Sequence, residues 1–171
     1  SHHTMDVSVI IPIKNGAISL PNLLNDLQQQ EYNGKMEFIL VDDESEDETG
    51  KIIKEMNEND QRFIYCHSSS GKKYLSFKKK ALDAGIMAST HDLLLFTDVD
   101  CRLDSTWISS MAQCFEENID YVYGFSGITK PSNLVAIFQK IDFQMLFTAA
   151  RSMSLLNLPW ASSGQNQAYL K

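Results

Sequence analysis

Short runs of β-branched and leucine side chains alternate along the chain with segments whose apolar residues recur every three or four positions. Val7 to Ile13 is apolar apart from Ser8 and leads into the Asn15-Gly16 pair, which predicts a buried strand closed by a turn. Ser19 is placed to cap a helix with Pro21 in its first turn and Leu20, Leu23, Leu24 and Leu27 along one stripe. Met36 to Val41 predicts a second strand, stopped by Asp42-Asp43-Glu44-Ser45. The helix that follows is acidic at its start (Glu46, Asp47, Glu48), which suits the positive end of a helix dipole, and carries Ile52, Ile53 and Met56 on one side. Arg62 to Cys66 reads as a third strand, about Ser76 to Ala88 as a third helix, and Leu93 to Thr97 as a fourth strand. Ser105 opens a further helix with Trp107, Ile108, Met111, Ala112 and Phe115 spaced for burial, and Tyr121 to Phe125 reads as another strand.

Strands alternating with helices imply an α/β fold: a mostly parallel sheet with helices on both faces. The pattern changes near residue 129. Pro131-Ser132 predicts the start of a long apolar helix lying over the sheet (Leu134, Val135, Ile137, Phe138, Ile141, Phe143, Met145, Leu146, Phe147). Trp160 to Lys171 is small and polar and reads as a loop. Ser1 to Thr4 look like the remnant of an expression tag, so residues 1–5 form a leader, 6–128 the α/β domain, and 129–171 a further, incomplete part of that domain.

Composition narrows the function. A formal charge of −7 over 171 residues argues against a nucleic-acid partner, whose phosphates call for an excess of Lys and Arg. Cys66, Cys101 and Cys114 lack metal-knuckle spacing and leave an odd thiol, which points to a reducing, cytoplasmic setting. No apolar run reaches the roughly 20 residues of a membrane span, so membrane association is expected only through parts outside these residues.

Asp98-Val99-Asp100 carries the sharpest chemical signal. In extended chain Asp98 and Asp100 share a face while Val99 points away. They follow an apolar strand, at the carboxyl edge where open α/β sheets bind ligands. Two carboxylates this close repel unless a cation lies between them, and hard ions such as Mg²⁺ and Mn²⁺ combine carboxylate with phosphate oxygens. A solvated turn capping the next helix is the alternative for this pair. Asp42-Asp43 ends another strand, where a carboxylate is placed to accept from ribose hydroxyls or base N–H groups, or else to cap the following helix through Asp43 or Ser45. Lys78, Lys79 and Lys80 open a helix; Lys78 and Lys79 are candidates to meet phosphate as point charges, while Lys80 suits a solvated face.

In this order the motifs resemble the family-2 glycosyltransferases of the GT-A fold. Val7 to Asn15 is similar to the family's opening strand, and Val41-Asp42-Asp43-Glu44-Ser45-Glu46-Asp47-Glu48-Thr49 to its Val-Asp-Asp-x-Ser-x-Asp-x-Thr. Lys78 to Ile86 resembles a Lys-Lys-x-Ala-Leu-x-x-Gly-Ile segment, Thr97 to Cys101 the Thr-Asp-Ala-Asp-Cys form of the DXD metal motif, and Gly164 to Lys171 the Gly-x-Asn-x-Ala-Tyr-Arg-Lys loop near the acceptor. Lys14 replaces the usual Tyr, and Phe77 stands where Gly is expected.

The resemblance implies a Rossmann-like donor-binding domain over 6–128 that takes a nucleotide-diphosphate sugar, UDP-linked by family habit. It implies inverting transfer to a hydroxyl of a glycan, lipid or other acceptor, in the cytoplasm or at the cytoplasmic face of a membrane. Pro12, Lys14, Asn15, Asp43, Lys78, Lys79, Asp98, Gly164 and Asn166 are then the expected substrate-binding residues. Asp100, with Asp98, is expected to hold Mn²⁺ or Mg²⁺. The family's general base follows the last motif, so no catalytic residue is assigned, and these residues are expected to bind donor without the group that deprotonates the acceptor. The rival readings are a receiver-type phospho-signalling domain, with Asp98 as phospho-acceptor, a nucleotidyltransferase, and a non-catalytic sugar-nucleotide-binding module.

Overall fold

The computed structural model describes residues 4–75, 77–91, 93–117, 146–148 and 167–170. Among the described residues six strands form one sheet: β1 (Val7–Ile13), β2 (Met36–Asp42), β3 (Phe63–His67), β4 (Leu93–Phe96), β5 (Leu146–Thr148) and β6 (Gln167–Leu170). Their order across the sheet is β3-β2-β1-β4-β6-β5. The first four run parallel, β6 lies antiparallel to β4, and β5 is parallel to β6. Between them run α1 (Leu20–Gln28), α2 (Thr49–Asn59), α3 (Phe77–Ala88) and α4 (Trp107–Glu117).

The alternation of side chains along each strand sorts the core into two layers. Val7, Val9, Ile11 and Ile13 of β1 pack with Phe38 and Leu40 of β2, Leu93 and Leu95 of β4, and the buried faces of α1, α2 and α4. Ile10, Ile39, Val41, Leu94 and Phe96 point the other way, onto Ala81, Leu82 and Ala84 of α3. Burial on both faces is why these strands read as continuous apolar runs. Leu20, Leu23 and Leu27 of α1 are fully buried, and each contributes about 1.5–3 kcal/mol of hydrophobic stabilisation. α3 lies close on the sheet because Gly85 has no side chain: a Cβ there would stand 2.5 Å from Ile10 Cγ2.

The crossovers through α1 and α2 lay strands on one side of β1, whereas the crossover through α3 carries the chain over the opposite face to β4. The order therefore reverses between β1 and β4. A reversal of this kind leaves a crevice beyond the carboxyl ends of the two strands, the usual ligand position in open α/β sheets.

Several expectations change. Leu146 and Phe147, assigned to a long helix, lie in strand β5, and Gln167 to Leu170, read as loop, form β6. Both segments are short, and an apolar or mixed run of three or four residues carries no usable period. Ser19 stands at the N-cap of α1 but makes no side-chain cap bond. α4 begins at Trp107, not at Ser105, and the turn leading into it is closed by Asp104, whose carboxylate accepts from the Thr106 N–H at 3.0 Å. The predicted strand Tyr121 to Phe125, the apolar helix from Pro131 to Met145, and Trp160 lie outside the described residues.

Candidate functional site

The loop after β1 and the loop after β2 are joined by hydrogen bonds between residues some thirty positions apart. The Asn15 N–H donates to Ser45 Oγ at 2.9 Å, and the Glu46 N–H donates back to Asn15 Oδ1 at 2.8 Å. Gly16 N–H reaches Thr49 Oγ1 at 3.0 Å and Ala17 N–H reaches Asp47 Oδ2 at 3.1 Å. Asn15 and Glu44 take left-handed backbone conformations, with φ of 51° and 55°. Asn tolerates that region better than most residues, and here its amide oxygen is held across the loops by the Glu46 N–H. Hydrogen bonding by the Thr49 hydroxyl, with further backbone N–H donors, holds the Asp47 carboxyl below its ordinary pKa despite desolvation.

Asp98 to Cys101 is a turn closed by the Cys101 N–H on the Asp98 carbonyl at 3.2 Å, not extended chain. Even so, Asp98 and Asp100 line one hollow, of about 430 Å³, together with Pro12, Ile13, Lys14, Asn15, Gly16, Ser19, Asp43, Lys78 and Val99. Lys78 Nζ sits 2.7 Å from Asp98 Oδ1, with the lysine side chain 43% and the aspartate 19% exposed. Val99 fixes the turn from beneath. A Cβ on Gly16 would lie 3.1 Å from both Val99 methyls and 2.6 Å from Ile13 Cγ2, so glycine suits this position.

The turn is also held from behind. Arg102 Nε and Nη2 donate to the two Asp26 carboxylate oxygens at 2.8 and 3.1 Å, and the Leu103 N–H donates to Asp26 Oδ2 at 3.0 Å. Gln30, just past the end of α1, takes the Ile108 N–H at 3.0 Å and donates to the Asp104 carbonyl at 2.6 Å. The guanidinium of Arg102 keeps the Asp26 carboxyl below its ordinary pKa, outweighing the opposing effect of burial.

Of the residues expected at the site, Pro12, Lys14, Asn15, Asp43, Lys78, Asp98 and Asp100 come together around the hollow. Lys79 does not: it is exposed to solvent and absent from the lining, because one helical step of about 100° turns it away from the side Lys78 uses. Gly164 and Asn166 lie outside the described residues. Asp42 is a buried structural residue, accepting from the Ser45 N–H at 3.1 Å and the Tyr65 hydroxyl at 3.4 Å. Neither Asp43 nor Ser45 caps α2: its N-cap is Glu48, which makes no side-chain cap bond, while Asp47 just ahead of it takes the Thr49 N–H at 3.0 Å. Ile13, Gly16, Ser19 and Val99 also line the hollow without a signal of their own in the sequence, although Gly16 belongs to the Asn-Gly turn pair.

The model of glycosyl transferase family 2 matches residues 8–169. The chain belongs to that family. It is 34% identical over 105 residues to a 4,4'-diaponeurosporenoate glycosyltransferase of Staphylococcus haemolyticus, covering 60% of this chain and 26% of that protein. It is 27% identical over 128 residues to the GalNAc(5)-diNAcBac-PP-undecaprenol beta-1,3-glucosyltransferase of Campylobacter jejuni, covering 75% and 40%. The chain thus spans well under half of these relatives' length.

Among solved structures, S. aureus TarS in complex with UDP-GlcNAc superposes at a TM-score of 0.52 with 26% identity, covering 67% of this chain and 32% of that one. The mannosyltransferase PcManGT of Pyrobaculum calidifontis, in complex with GDP-Man and Mn²⁺, superposes at 0.57 with 21% identity, covering 66% and 33%, and shares the fold. The sheet and its helices are of the GT-A type. Family membership sets aside the receiver reading, and Asp42, enclosed by Ser45 and Tyr65, is not the open acidic residue that reading required. No helix among the described residues is long and apolar enough to cross a membrane.

Proposed function

We propose that residues 6–128 form the donor-binding part of a glycosyltransferase that moves a sugar from a nucleoside diphosphate to an acceptor hydroxyl by one direct, inverting displacement. The observation that carries this reading is the convergence of Asp43, Asp98, Asp100 and Lys78 on one hollow at the point where the strand order reverses. UDP is favoured over GDP because the TarS complex, the solved relative of higher identity, holds a uridine donor. The Campylobacter relative's name includes a polyprenol-linked acceptor, which favours a glycan or lipid hydroxyl on the acceptor side. Gly164 and Asn166, in residues 129–171, belong to that side of the reading. The free thiols Cys66 and Cys101 suit a reducing setting, in the cytoplasm or at the cytoplasmic face of a membrane.

The donor set fits Mn²⁺ or Mg²⁺. Asp98 Oδ1 is held by Lys78, which leaves Asp98 Oδ2 and the Asp100 carboxylate as the remaining oxygen donors of the two acidic lining residues. No group of three or more acidic, His or Cys side chains placed to hold a metal exists among the described residues, so an ion here would complete its shell with phosphate oxygens and water. Such an ion would supply Lewis-acid stabilisation of the charge gathering on the departing diphosphate. The protein's own groups do the positioning. Asp43 is placed to accept from a ribose hydroxyl or base N–H. Pro12, Lys14 and Asn15 form the floor on which the nucleoside rests. Lys78 orients Asp98 and brings an ammonium to the diphosphate.

Calorimetric titration with UDP and GDP, with and without Mn²⁺, tests the reading on wild type, Asp100→Ala and Lys78→Met. UDP should bind with a gain from Mn²⁺ that Asp100→Ala abolishes. Lys78→Met should weaken UDP binding roughly 10–100-fold, as expected for losing a hydrogen bond to a charged group. Equal affinity in all three proteins, or no nucleotide affinity in wild type, refutes it.

A further inference from the structure

Two lysines and three aspartates line the hollow: Lys14, Lys78, Asp43, Asp98 and Asp100. The loop after β2 adds Glu44, Glu46, Asp47 and Glu48, and Ser45, Glu46 and Asp47 are hydrogen-bonded to the segment from Asn15 to Ala17. An acidic surround of this kind draws divalent cations, and a diphosphate entering it needs a cationic partner. Among the described residues one ion pair answers the aspartates of the lining, that of Lys78 with Asp98.

The acidic turn is held by basic side chains in two different ways. Arg102 grips Asp26 through two nitrogens, a fixed fork suited to bracing. Lys78 meets Asp98 through a single Nζ contact at 2.7 Å, from a flexible stem. Its side chain is 43% exposed and starts from the first turn of α3, where the helix dipole favours an anion. The ammonium can therefore leave Asp98 for a neighbouring phosphate by side-chain rotation alone. A pair this open to water contributes little stability, which keeps it exchangeable.

Lys78 also occupies an oxygen that a metal ion would use. With Asp98 Oδ1 engaged, a bare divalent cation must either displace the ammonium or accept a positive charge beside it. A diphosphate carries more negative charge than one carboxylate and presents several acceptor oxygens, so it is the better partner for that ammonium.

We propose that Lys78 is a built-in counter-ion that keeps a bare divalent cation off Asp98 until a diphosphate arrives and takes the ammonium, so that ion and nucleotide load together. The inference rests on the donor reading above and adds the order of loading to it. Its consequence is a coupling between the two ligands beyond their direct contact. Without the diphosphate the ion meets a lysine; with the diphosphate in place it meets both oxygens of Asp98 and the carboxylate of Asp100. An acidic hollow that would otherwise collect cations is in this way kept ready for the nucleotide.

Loss of the free-ion electron paramagnetic resonance signal measures Mn²⁺ binding, with and without saturating UDP. Lys78→Met should bind Mn²⁺ alone about 5-fold more tightly than wild type, the factor for a partly exposed pair of about 1 kcal/mol. The gain in Mn²⁺ affinity conferred by UDP should be smaller by the same factor, and by linkage the gain in UDP affinity conferred by Mn²⁺ shrinks equally. Lys78→Arg keeps the charge and should bind the bare ion no more tightly than wild type. Lys73→Met removes an exposed ammonium outside the lining and should match wild type. Equal Mn²⁺ affinity of Lys78→Met and wild type, including no measurable binding by either, overturns the proposal. So does weaker binding by Lys78→Met, which would leave Lys78 as a support that orients Asp98, or an equal gain in Lys73→Met, which would mark an effect of overall charge. Absence of UDP affinity in every protein is failure of the donor reading, whereas UDP affinity with one coupling factor in wild type and Lys78→Met is failure of this inference alone.

Discussion

Asp26→Ala tests whether the acidic turn is braced from α1. Asp26 takes three hydrogen bonds, two from Arg102 and one from the Leu103 N–H, and Leu103 is 7% exposed. The Arg102 side chain is 66% exposed and regains water when its partner is removed, so its arm is left out of the sum. The Leu103 N–H has no such recourse. Leaving a buried donor without an acceptor costs about 1–3 kcal/mol. For a chain of this size each kcal/mol lowers the melting temperature by about 2–4 °C, so a fall of about 2–12 °C is expected.

Asp26→Asn keeps an acceptor for Leu103 and should lie between the two. The carboxyl is held below its ordinary pKa mainly by Arg102, so the charge-dependent stabilisation is complete above the unfolded-state value of about 3.9. It is lost as pH falls through the lower folded value, and the gap between wild type and Asp26→Asn should close over that interval. Melting followed by circular dichroism at neutral pH and down through that range reads both effects. A melting temperature for Asp26→Ala within about 1 °C of wild type, below the smallest shift expected here, refutes the brace.

Two further substitutions or modifications follow from packing. Gly85→Ala places a Cβ 2.5 Å from Ile10 Cγ2 and 3.0 Å from Val41 Cγ2, both buried side chains of the sheet. An overpacking cost of about 1–3 kcal/mol should appear in urea unfolding as a lower midpoint at unchanged slope, and an unchanged midpoint would contradict the close approach. Burial pushes the Cys66 thiol above its ordinary pKa, so Cys66 should resist alkylation in the native protein and react once urea unfolds it. Peptide mapping that finds Cys66 labelled as fast natively as in urea would show that it is not enclosed.

The repeating order of strands and helices was legible because both faces of the sheet are covered, which leaves uninterrupted apolar runs of strand length in the sequence. The acidic pair was legible for a related reason: Asp98 follows five buried residues, Leu93 to Thr97, and a polar pair directly after such a run marks the sheet's rim. What escaped depends on contacts distant in sequence. In the sequence Val99 reads as a spacer, yet in the fold it packs against Gly16, eighty-three positions earlier. Lys78 and Lys79 are chemically alike, and only the rotation of α3 against β4 separates the one that meets Asp98 from the one in water. β6 has four residues of mixed polarity, and its partner β4 is more than seventy positions away.

That last pairing bears on how the protein can be shortened. Leu93 to Phe96 is entirely apolar, and β6 covers its free side, with Leu93 opposite Leu170 and Phe96 opposite Gln167. A version ending before residue 146 would lack β6 and present bare amides and carbonyls along that apolar rim, the arrangement that recruits strands from other molecules. Trimming that keeps the final dozen residues, or adds a charged residue to β4's rim, is the safer route to a well-behaved sample.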